Sequence, residues 1–379
     1  MKKKSEKRNN SIGKMKVLMM WLSELLEKST SAALQQQASD GTMPAGHNGP
    51  YHDPQTPVRN TGHWAITFLK VYNNTGERKY LDASYQAIRY LLSREARPDG
   101  FAFWHRKKLH KDATNGIIGQ AWTIEAFAMV ADGLEMPELI VEAEKLFLLH
   151  AFDYDQGVWH RIGLDGKLKP VDSTFNHQLW FAAAGGLLKH NGDISSEVEV
   201  FLDKLESNNL VLYGSGLIKH PLLSKNGRLI HKYLKTQVRM LIKNKQMAYK
   251  SVGYHQFNLY AFAMLKMSFP SHPFWRSEKF KKILAYAVTD QYKQLVEDNI
   301  YAYPYNPPGF EMTFALQVFD EKLAESDNQQ WLSKQVGHCY NFDTWAMNRN
   351  TEDPDTLNAR LYEATRLNDI FIKIDSNKS

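Results

Sequence analysis

A helical hairpin recurs along the chain, and this repeat constrains the fold more than any other feature. An apolar helix begins near Arg59 and ends at residues 73–76, where Asn and Gly tolerate the left-handed geometry of a helix cap. A second helix, residues 79–93, carries apolar side chains on one face only. The same order begins again near residues 112, 172, 253 and 307, and a sixth apolar helix spans 353–366. Helical hairpins that recur along a chain in this way indicate an array of stacked hairpins.

Six hairpins predict an all-α fold, the (α/α)6 toroid. Inner helices of a toroid are apolar on nearly every side, whereas outer helices have one polar face exposed to solvent. The sixth inner helix lacks an evident outer partner downstream, but an N-terminal helix over 14–37 can supply one and close the ring. A straight solenoid is the alternative, although it leaves polar-capped ends. We therefore predict a single toroid domain over residues 14–379.

The positive charge of the chain is confined to one end. Formal net charge is +6, and the first 16 residues hold seven Lys and Arg against one Glu, so the remainder is formally neutral. We expect residues 1–13 to form a basic, disordered tail. Because no basic face runs along the repeats, we expect no nucleic-acid partner.

The single cysteine, Cys339, excludes an internal disulfide and a multi-cysteine zinc site. Histidines lack the close spacing of a metal motif, so we predict neither a metal nor another cofactor. No run of about 20 apolar residues is present. The apolar stretch 17–22 is short and continues as an amphipathic helix, unlike an export signal. These features predict a cytoplasmic protein.

Polar and aromatic residues concentrate in the loops that precede the inner helices, and these loops converge on one mouth of a toroid. Helix capping explains any single Asp or Asn there. It does not explain the accompanying His, Trp, Tyr and Arg, a mixture suited to stacking on sugar rings and binding their hydroxyls. The predicted substrate-binding residues are His47, His52, Asp53, Arg59, Asn60, His63, Trp64, Trp104, Asn115, Trp122, Trp159, Asn176, His177, Tyr254 and His255.

Two of those tryptophans lie in a repeated triplet. Trp104-His105-Arg106 and Trp159-His160-Arg161 are 55 residues apart, each after an outer helix. The triplets either pack between hairpins or line the cleft.

Carboxylates across such a mouth can cleave a glycosidic bond, and their separation decides inversion or retention. Asp112 and Asp172 open successive inner helices and are the first catalytic candidates, with Glu311 third. One carboxyl needs a raised pKa to act as the acid, and we expect Trp122 and Trp180 to provide the apolar surroundings.

The hairpin count, polar helix openings and Trp/His loops resemble the six-hairpin glycosidase superfamily over roughly residues 40–367. Within it, the chain looks most like the unsaturated glucuronyl hydrolases and related glycan-cluster proteins of archaea. That resemblance implies aspartates at inner-helix starts that hydrate an unsaturated uronate, positions that Asp112 and Asp172 match. Around His52-Asp53 the sequence departs from the family, because Pro54 follows.

Three other functions stay open: a polysaccharide lyase or a sugar epimerase, either of which would use His177, Tyr254 or His255 as acid or base, and a glycan-binding protein of polysaccharide biosynthesis without catalysis. The acid-free segment 225–250 forms a basic amphipathic pattern before the fourth inner helix. Its position favours an acidic oligo- or polysaccharide as partner; a peripheral membrane contact and a merely solvated face are the alternatives.

Overall fold

The computed structural model describes residues 17–222 and 237–375. The inner helices are α2 (Val58–Thr75), α4 (Gly116–Val130), α6 (Phe175–Gly186), α8 (Gln237–Ser268), α11 (Pro308–Phe319) and α13 (Pro354–Ala359), the last continued by a 3-10 helix at Arg360–Arg366. The outer helices are α1 (Leu22–Leu34), α3 (Arg78–Leu91), α5 (Glu138–Leu148), α7 (Gly192–Lys204), α9 (Glu278–Ala287), α10 (Asp290–Glu297) and α12 (Glu321–Cys339). Short strands are β1 (Val17–Trp21), β2 (Phe152–Asp153), β3 (Val158–Ile162), β4 (Leu168–Val171) and β5 (Phe371–Asp375).

The inner helices form a closed ring. From α2 to α11 each contacts the next in chain order, α11 contacts the 3-10 helix Arg360–Arg366, and that helix returns to pack on α2. The outer helices pack behind them, with α3 on α2, α5 on α4, α7 on α6 and α12 on α11. This arrangement confirms the predicted (α/α)6 toroid.

Burial explains why the two kinds of helix differ in sequence. Thirteen of the fifteen residues of α4 are buried, because this helix has neighbours on every side. In α3 the buried residues fall at helical spacing on one face, from Tyr80 to Leu91, and the other face is wet. The apolar pattern therefore identified inner and outer helices correctly.

The two ends of the described chain close the ring together. Helix α1 packs against α2 and against the 3-10 helix Arg360–Arg366, which makes it the missing sixth outer helix. We had expected residues 17–21 to form the first turns of that helix. They form strand β1 instead. They pair antiparallel with β5, from Val17 opposite Asp375 to Trp21 opposite Phe371. A partner so distant in sequence overrides the local helical pattern.

A three-stranded antiparallel sheet, β2 to β4, lies between α5 and α6 and was not predicted. It also shifts the register of the internal repeat. The side-chain amide of Gln178 bonds both the N–H and C=O of Trp159, and Gln120 does the same at Phe103. Phe103, and not Trp104, is therefore the structural counterpart of Trp159, so the two Trp-His-Arg triplets are offset by one residue.

Polar caps set the helix boundaries in the fourth and fifth hairpins. The fourth outer segment breaks at Thr289, whose hydroxyl caps α10 by accepting from the N–H of Tyr292. Asp320 follows the last residue of α11, and its carboxylate caps α12 by accepting from the N–H of Leu323. Capping by short polar side chains sets these ends more sharply than apolar periodicity does.

Candidate active site

The loops that precede the inner helices meet around a cavity of about 180 Å³. All six sectors of the ring contribute to its wall. The lining residues are Asn48, Tyr51, Asp53, Arg106, Lys111, Asn115, Ile118, Trp122, Thr174, Asn176, His177, His220, Lys250, Tyr254, Phe257, Tyr305, Asn306 and Arg360. The mouth expected from the sequence thus corresponds to a cavity lined by polar and aromatic side chains.

His177, a residue of this wall, pairs with a carboxylate that does not itself line the cavity. Nδ1 of His177 lies 2.8 Å from Oδ2 of Asp172, at the start of α6. Asp172 also accepts from the N–H groups of Thr174 and Ile117. Burial disfavours its charge, but His177 and these amides outweigh burial and lower the pKa of Asp172 to about 2. An ionised Asp172 holds the ring of His177 in one tautomer, with Nε2 the nitrogen left for a substrate.

A second histidine, His220, lines the same cavity. Its ring lies 5.1 Å from that of Tyr254, and its Nδ1 has no hydrogen-bond partner among the described residues. Burial, together with the nearby Lys250 and His177, holds the pKa of His220 well below its usual range. His220 is therefore a neutral imidazole at neutral pH, able to accept a proton.

Three cationic side chains surround the carboxylate of Asp53. The Nζ atoms of Lys108 and Lys111 lie 2.8 Å from its carboxylate, and Nε of Arg106 lies 3.5 Å away. Burial works against ionisation, yet Lys108, Lys111 and Arg106 together keep the pKa of Asp53 below its usual range. Asp53 is thus a charged anchor for the basic loop over residues 106–111.

Arg59 supports the aromatic wall from below. Its guanidinium lies 4.1 Å from the Trp122 ring centroid, and Nη1 donates to the Asn48 side chain at 3.2 Å. Two further guanidinium nitrogens, Nε and Nη2, are buried without a partner among the described residues. A cation–π contact of this kind fixes the orientation of the indole.

A buried ion network underlies the cavity. Arg360 donates to Glu311 at 2.8 Å, to Glu363, and to Asn306 at 2.7 Å. Burial and the neighbouring Glu363 raise the pKa of Glu311 well above its usual value. Glu311 itself is fully buried and lies behind Arg360, so Arg360 is the member of the network that lines the cavity.

Of the three predicted catalytic carboxylates, none lines the cavity directly. Asp112 is held by Arg161 at 3.0 Å and Lys169 at 3.6 Å. Burial alone would raise the pKa of Asp112, but the hydrogen bonds from Thr114 and the two cations lower it by more. The pKa of Asp112 is therefore below its usual range. The expectation that Asp112 or Asp172 has a raised pKa is wrong, because cations and amides outweigh the apolar surroundings. Trp180 stacks on Phe257 instead.

Six predicted substrate-binding residues do line the cavity: Asp53, Asn115, Trp122, Asn176, His177 and Tyr254. The other nine lie outside its wall. Among them, Arg59 supports Trp122 as described, and Trp104 is half-buried with its indole N–H on the carbonyl of Arg106.

Burial between helices accounts for several of the remaining positions. Trp159 is fully buried against Phe147 and Phe201, with its indole N–H on Glu197. Trp64 packs on Phe68. These two tryptophans are core residues, since the hairpin layers enclose them.

The predicted histidines that lie outside the cavity wall contact other parts of the protein. His255 is buried between the N–H of Ile218 and the carbonyl of Ile283. His63 stacks on Tyr362 with ring centroids 4.0 Å apart. His47 and His52 stack on each other at the rim, and His52 also pairs with Glu352. Asn60 donates to the carbonyl of Pro44.

Several cavity residues were missed in the sequence. Tyr51 and Asn48 belong to the first mouth loop, whose composition could have indicated them. Lys250 lies in the acid-free segment 225–250, of which residues 225–236 fall outside the described residues. His220 precedes no inner helix directly and carries no local signal.

No described helix is long and apolar enough to cross a membrane. Within residues 17–222 and 237–375, no cluster of three or more His, Cys, Asp or Glu side chains is placed to hold a metal ion.

No family model matches the chain. It is 42% identical over 373 residues to archaeal glycosylation protein Q of Haloferax volcanii, a match that covers 94% of this chain and 100% of that protein. Among solved structures, cellobiose 2-epimerase from Spirochaeta thermophila superposes with a TM-score of 0.63 at 12% identity, covering 91% of this chain and 95% of that one. An unsaturated glucuronyl hydrolase specific for heparin gives 0.56 at 10% identity, covering 91% and 96%. The two structures share the six-hairpin toroid with this chain.

Proposed function

The chain belongs to the family of archaeal glycosylation protein Q, and from that membership we propose that it is an enzyme that processes a sugar used in glycosylation. We further propose that it epimerises or isomerises the sugar by proton transfer. The observation that carries this proposal is the 2.8 Å contact between Asp172 and His177, the latter a residue of the cavity wall. The size of the cavity, about 180 Å³, suits one sugar unit better than a long oligosaccharide.

Proton transfer next to a carbonyl needs a base and an acid on a positioned substrate. In the proposed reaction, one imidazole removes the proton from the carbon beside the carbonyl of an open-chain sugar. The electron pair of the broken C–H bond forms the C=C bond of an enediol, while the other imidazole gives a proton to the carbonyl oxygen. If the proton returns to the same carbon and that oxygen gives its proton back, the product is the epimer. If the proton goes to the neighbouring carbon and the hydroxyl on the first carbon loses its proton, the product is the isomer. His177, oriented by Asp172, and the neutral His220 are the two candidates for these roles, and the cycle consumes no co-reactant.

Hydrolysis of a glycosidic bond is the second candidate, because the carboxylate of Asp53 lines the cavity. A hydrolase also needs a carboxylic acid that keeps its proton near neutral pH. The pKa values of Asp53, Asp112 and Asp172 are all lowered, whereas that of Glu311 is raised behind Arg360. This pattern supports proton transfer by histidine over hydrolysis.

The test is incubation in D₂O with neutral and acidic monosaccharides, and with saturated and unsaturated uronate oligosaccharides, followed by mass spectrometry and NMR. An epimerase or isomerase places deuterium on carbon. Cleavage with addition of water indicates a hydrolase, cleavage without it a lyase, and binding without any change a glycan-binding protein. Any of the last three results overturns the proposal.

A further inference from the structure

Lys250 is the one cation of the cavity wall without an acidic partner among the described residues. Asp53 engages Arg106 and Lys111, and Glu311 and Glu363 engage Arg360. The side chain of Lys250 instead rests on three tyrosines. Its Nζ lies 4.7 Å from the ring centroid of Tyr51, 5.7 Å from Tyr254 and 5.8 Å from Tyr301.

The tyrosines hold the ammonium in place without neutralising it. The hydroxyls of Tyr51 and Tyr254 are 2.7 Å apart and bond each other, which leaves their ring faces for the lysine. A cation–π contact offsets part of the lost hydration, but the charge remains uncompensated. A partly buried, unpaired ammonium is therefore a site where an incoming anion gains more than it would at the surface.

We propose that Lys250 recognises a negatively charged group on the sugar, so that the substrate is an acidic sugar. This inference rests on the proposed function, since it takes the cavity to be the sugar site. The shared chemistry is an oxyanion on a pyranose or open-chain sugar, supplied by a uronate carboxylate or by a phosphate. Tyr51 and Tyr254 position the lysine, and the ring faces of the cavity aromatics cover the apolar side of the sugar.

The charge balance of the wall supports an anionic ligand. Four cations line the cavity, Arg106, Lys111, Lys250 and Arg360, against the single carboxylate of Asp53 among the described lining residues. The glutamates that balance Arg360 lie behind it and are fully buried. A substrate in the cavity therefore meets a positive surface, to which Lys250 adds a charge that no described acidic group pairs with.

Calorimetric titration with glucuronate, glucose 6-phosphate and glucose tests the inference without requiring turnover. The wild type is expected to bind one of the anionic sugars about 10- to 100-fold more tightly than glucose, the range of a charged hydrogen bond. Comparison of the two anions tells carboxylate from phosphate. Lys250→Met should abolish the preference, and Lys250→Arg should keep most of it. Lys245→Met, which alters an exposed lysine of the same helix, should match the wild type.

Two results overturn the inference: a wild type that shows no preference for either anion, or a Lys250→Met variant that folds, by circular dichroism, and keeps the preference. Failure of the proposed function looks different. Anionic sugars would then bind through Lys250 but gain no deuterium in D₂O. Conversely, deuterium uptake by neutral sugars without any preference for an anion would overturn the inference about Lys250 but not the proposed function.

Discussion

Asp172 and His177 form a hydrogen-bonded pair 2.8 Å apart within one turn of the start of α6. His177→Gln should lower kcat by about 10²- to 10⁴-fold, the usual contribution of a general acid or base. Deuterium incorporation measured by NMR checks this. Asp172→Asn should also lower kcat, because the ring of His177 loses the partner that sets its tautomer.

Asp112→Asn is the matched comparison, since Asp112 bonds Arg161 and Lys169 rather than a histidine. Under proton transfer, kcat should stay within a few-fold of the wild type. If Asp112→Asn abolishes turnover while His177→Gln does not, carboxylate chemistry replaces the histidine mechanism.

Gly116 leaves the space that the Asp172–His177 pair occupies. Its φ is +67°, and a Cβ there would lie 2.2 Å from Oδ2 of Asp172 and 2.9 Å from Nδ1 of His177. Gly76 has a similar φ of +73° with no atom within 4 Å of its Cβ position. Gly116→Ala and Gly76→Ala should each lose about 1–2 kcal/mol of unfolding free energy from backbone strain, measured in urea. Only Gly116→Ala should also lose turnover; equal activity in both would contradict this geometry.

Affinity for an anionic sugar should fall as the pH rises through the titration of Lys250. Burial and the nearby Lys111 lower the pKa of Lys250 to about 8. Below this pKa the ammonium is charged and binds the anion; above it the neutral amine does not. A bound anion favours the charged form and shifts the midpoint upward, so calorimetry from about pH 6.5 to 9.5 covers the transition.

The groups that face Lys250 make the assignment testable. Burial raises the pKa values of Tyr51, Tyr254 and Tyr301, so these phenols stay neutral in that range. His220 is already neutral because burial lowers its pKa. Lys250→Arg should flatten the fall, since a guanidinium stays charged. An unchanged pH profile in Lys250→Arg would assign the titration to another group.

Arg366 and Glu125 form a buried ion pair at 2.8 Å between the end of the ring and α4. Arg366→Met should lower the free energy of unfolding by about 3–5 kcal/mol, because it leaves a buried carboxylate without its cation. Arg78→Met, at the exposed Arg78–Asp82 pair on α3, should leave that free energy nearly unchanged. Denaturant titrations that give equal losses would contradict the structure.

Ile372 is fully buried on β5, whereas its neighbour Lys373 is exposed. Ile372→Ala should lower the free energy of unfolding by about 2–5 kcal/mol, and Lys373→Ala should have little effect. A Tm for Ile372→Ala equal to that of Lys373→Ala would show that the closing strand does not stabilise the ring.

The apolar periodicity was sufficient to predict the ring, because inner and outer helices differ in how many sides are buried. It also located the mouth, where Asn115, Asn176 and His177 line the cavity. It failed where a partner is distant in sequence. Strand β1 depends on β5 at the other end of the chain, and the placement of Lys250 depends on Tyr51 from another hairpin. The pKa of Asp172 was mispredicted because nearby hydrogen-bond donors outweigh burial: His177 and the N–H of Thr174 from the same segment, and the N–H of Ile117 from α4.

The pairing of β1 with β5 has a consequence for synthesis on the ribosome. The first strand of the toroid cannot find its partner until residue 375 has left the exit tunnel, so the wall that includes Arg360 is completed last. Until then the first five hairpins form a ring that is not closed by the pairing of β1 with β5. Contacts of such long sequence separation form slowly. The chain thus completes its cavity only after residue 375 has been translated, and a nascent chain stalled before residue 371 lacks the strand that pairs with β1.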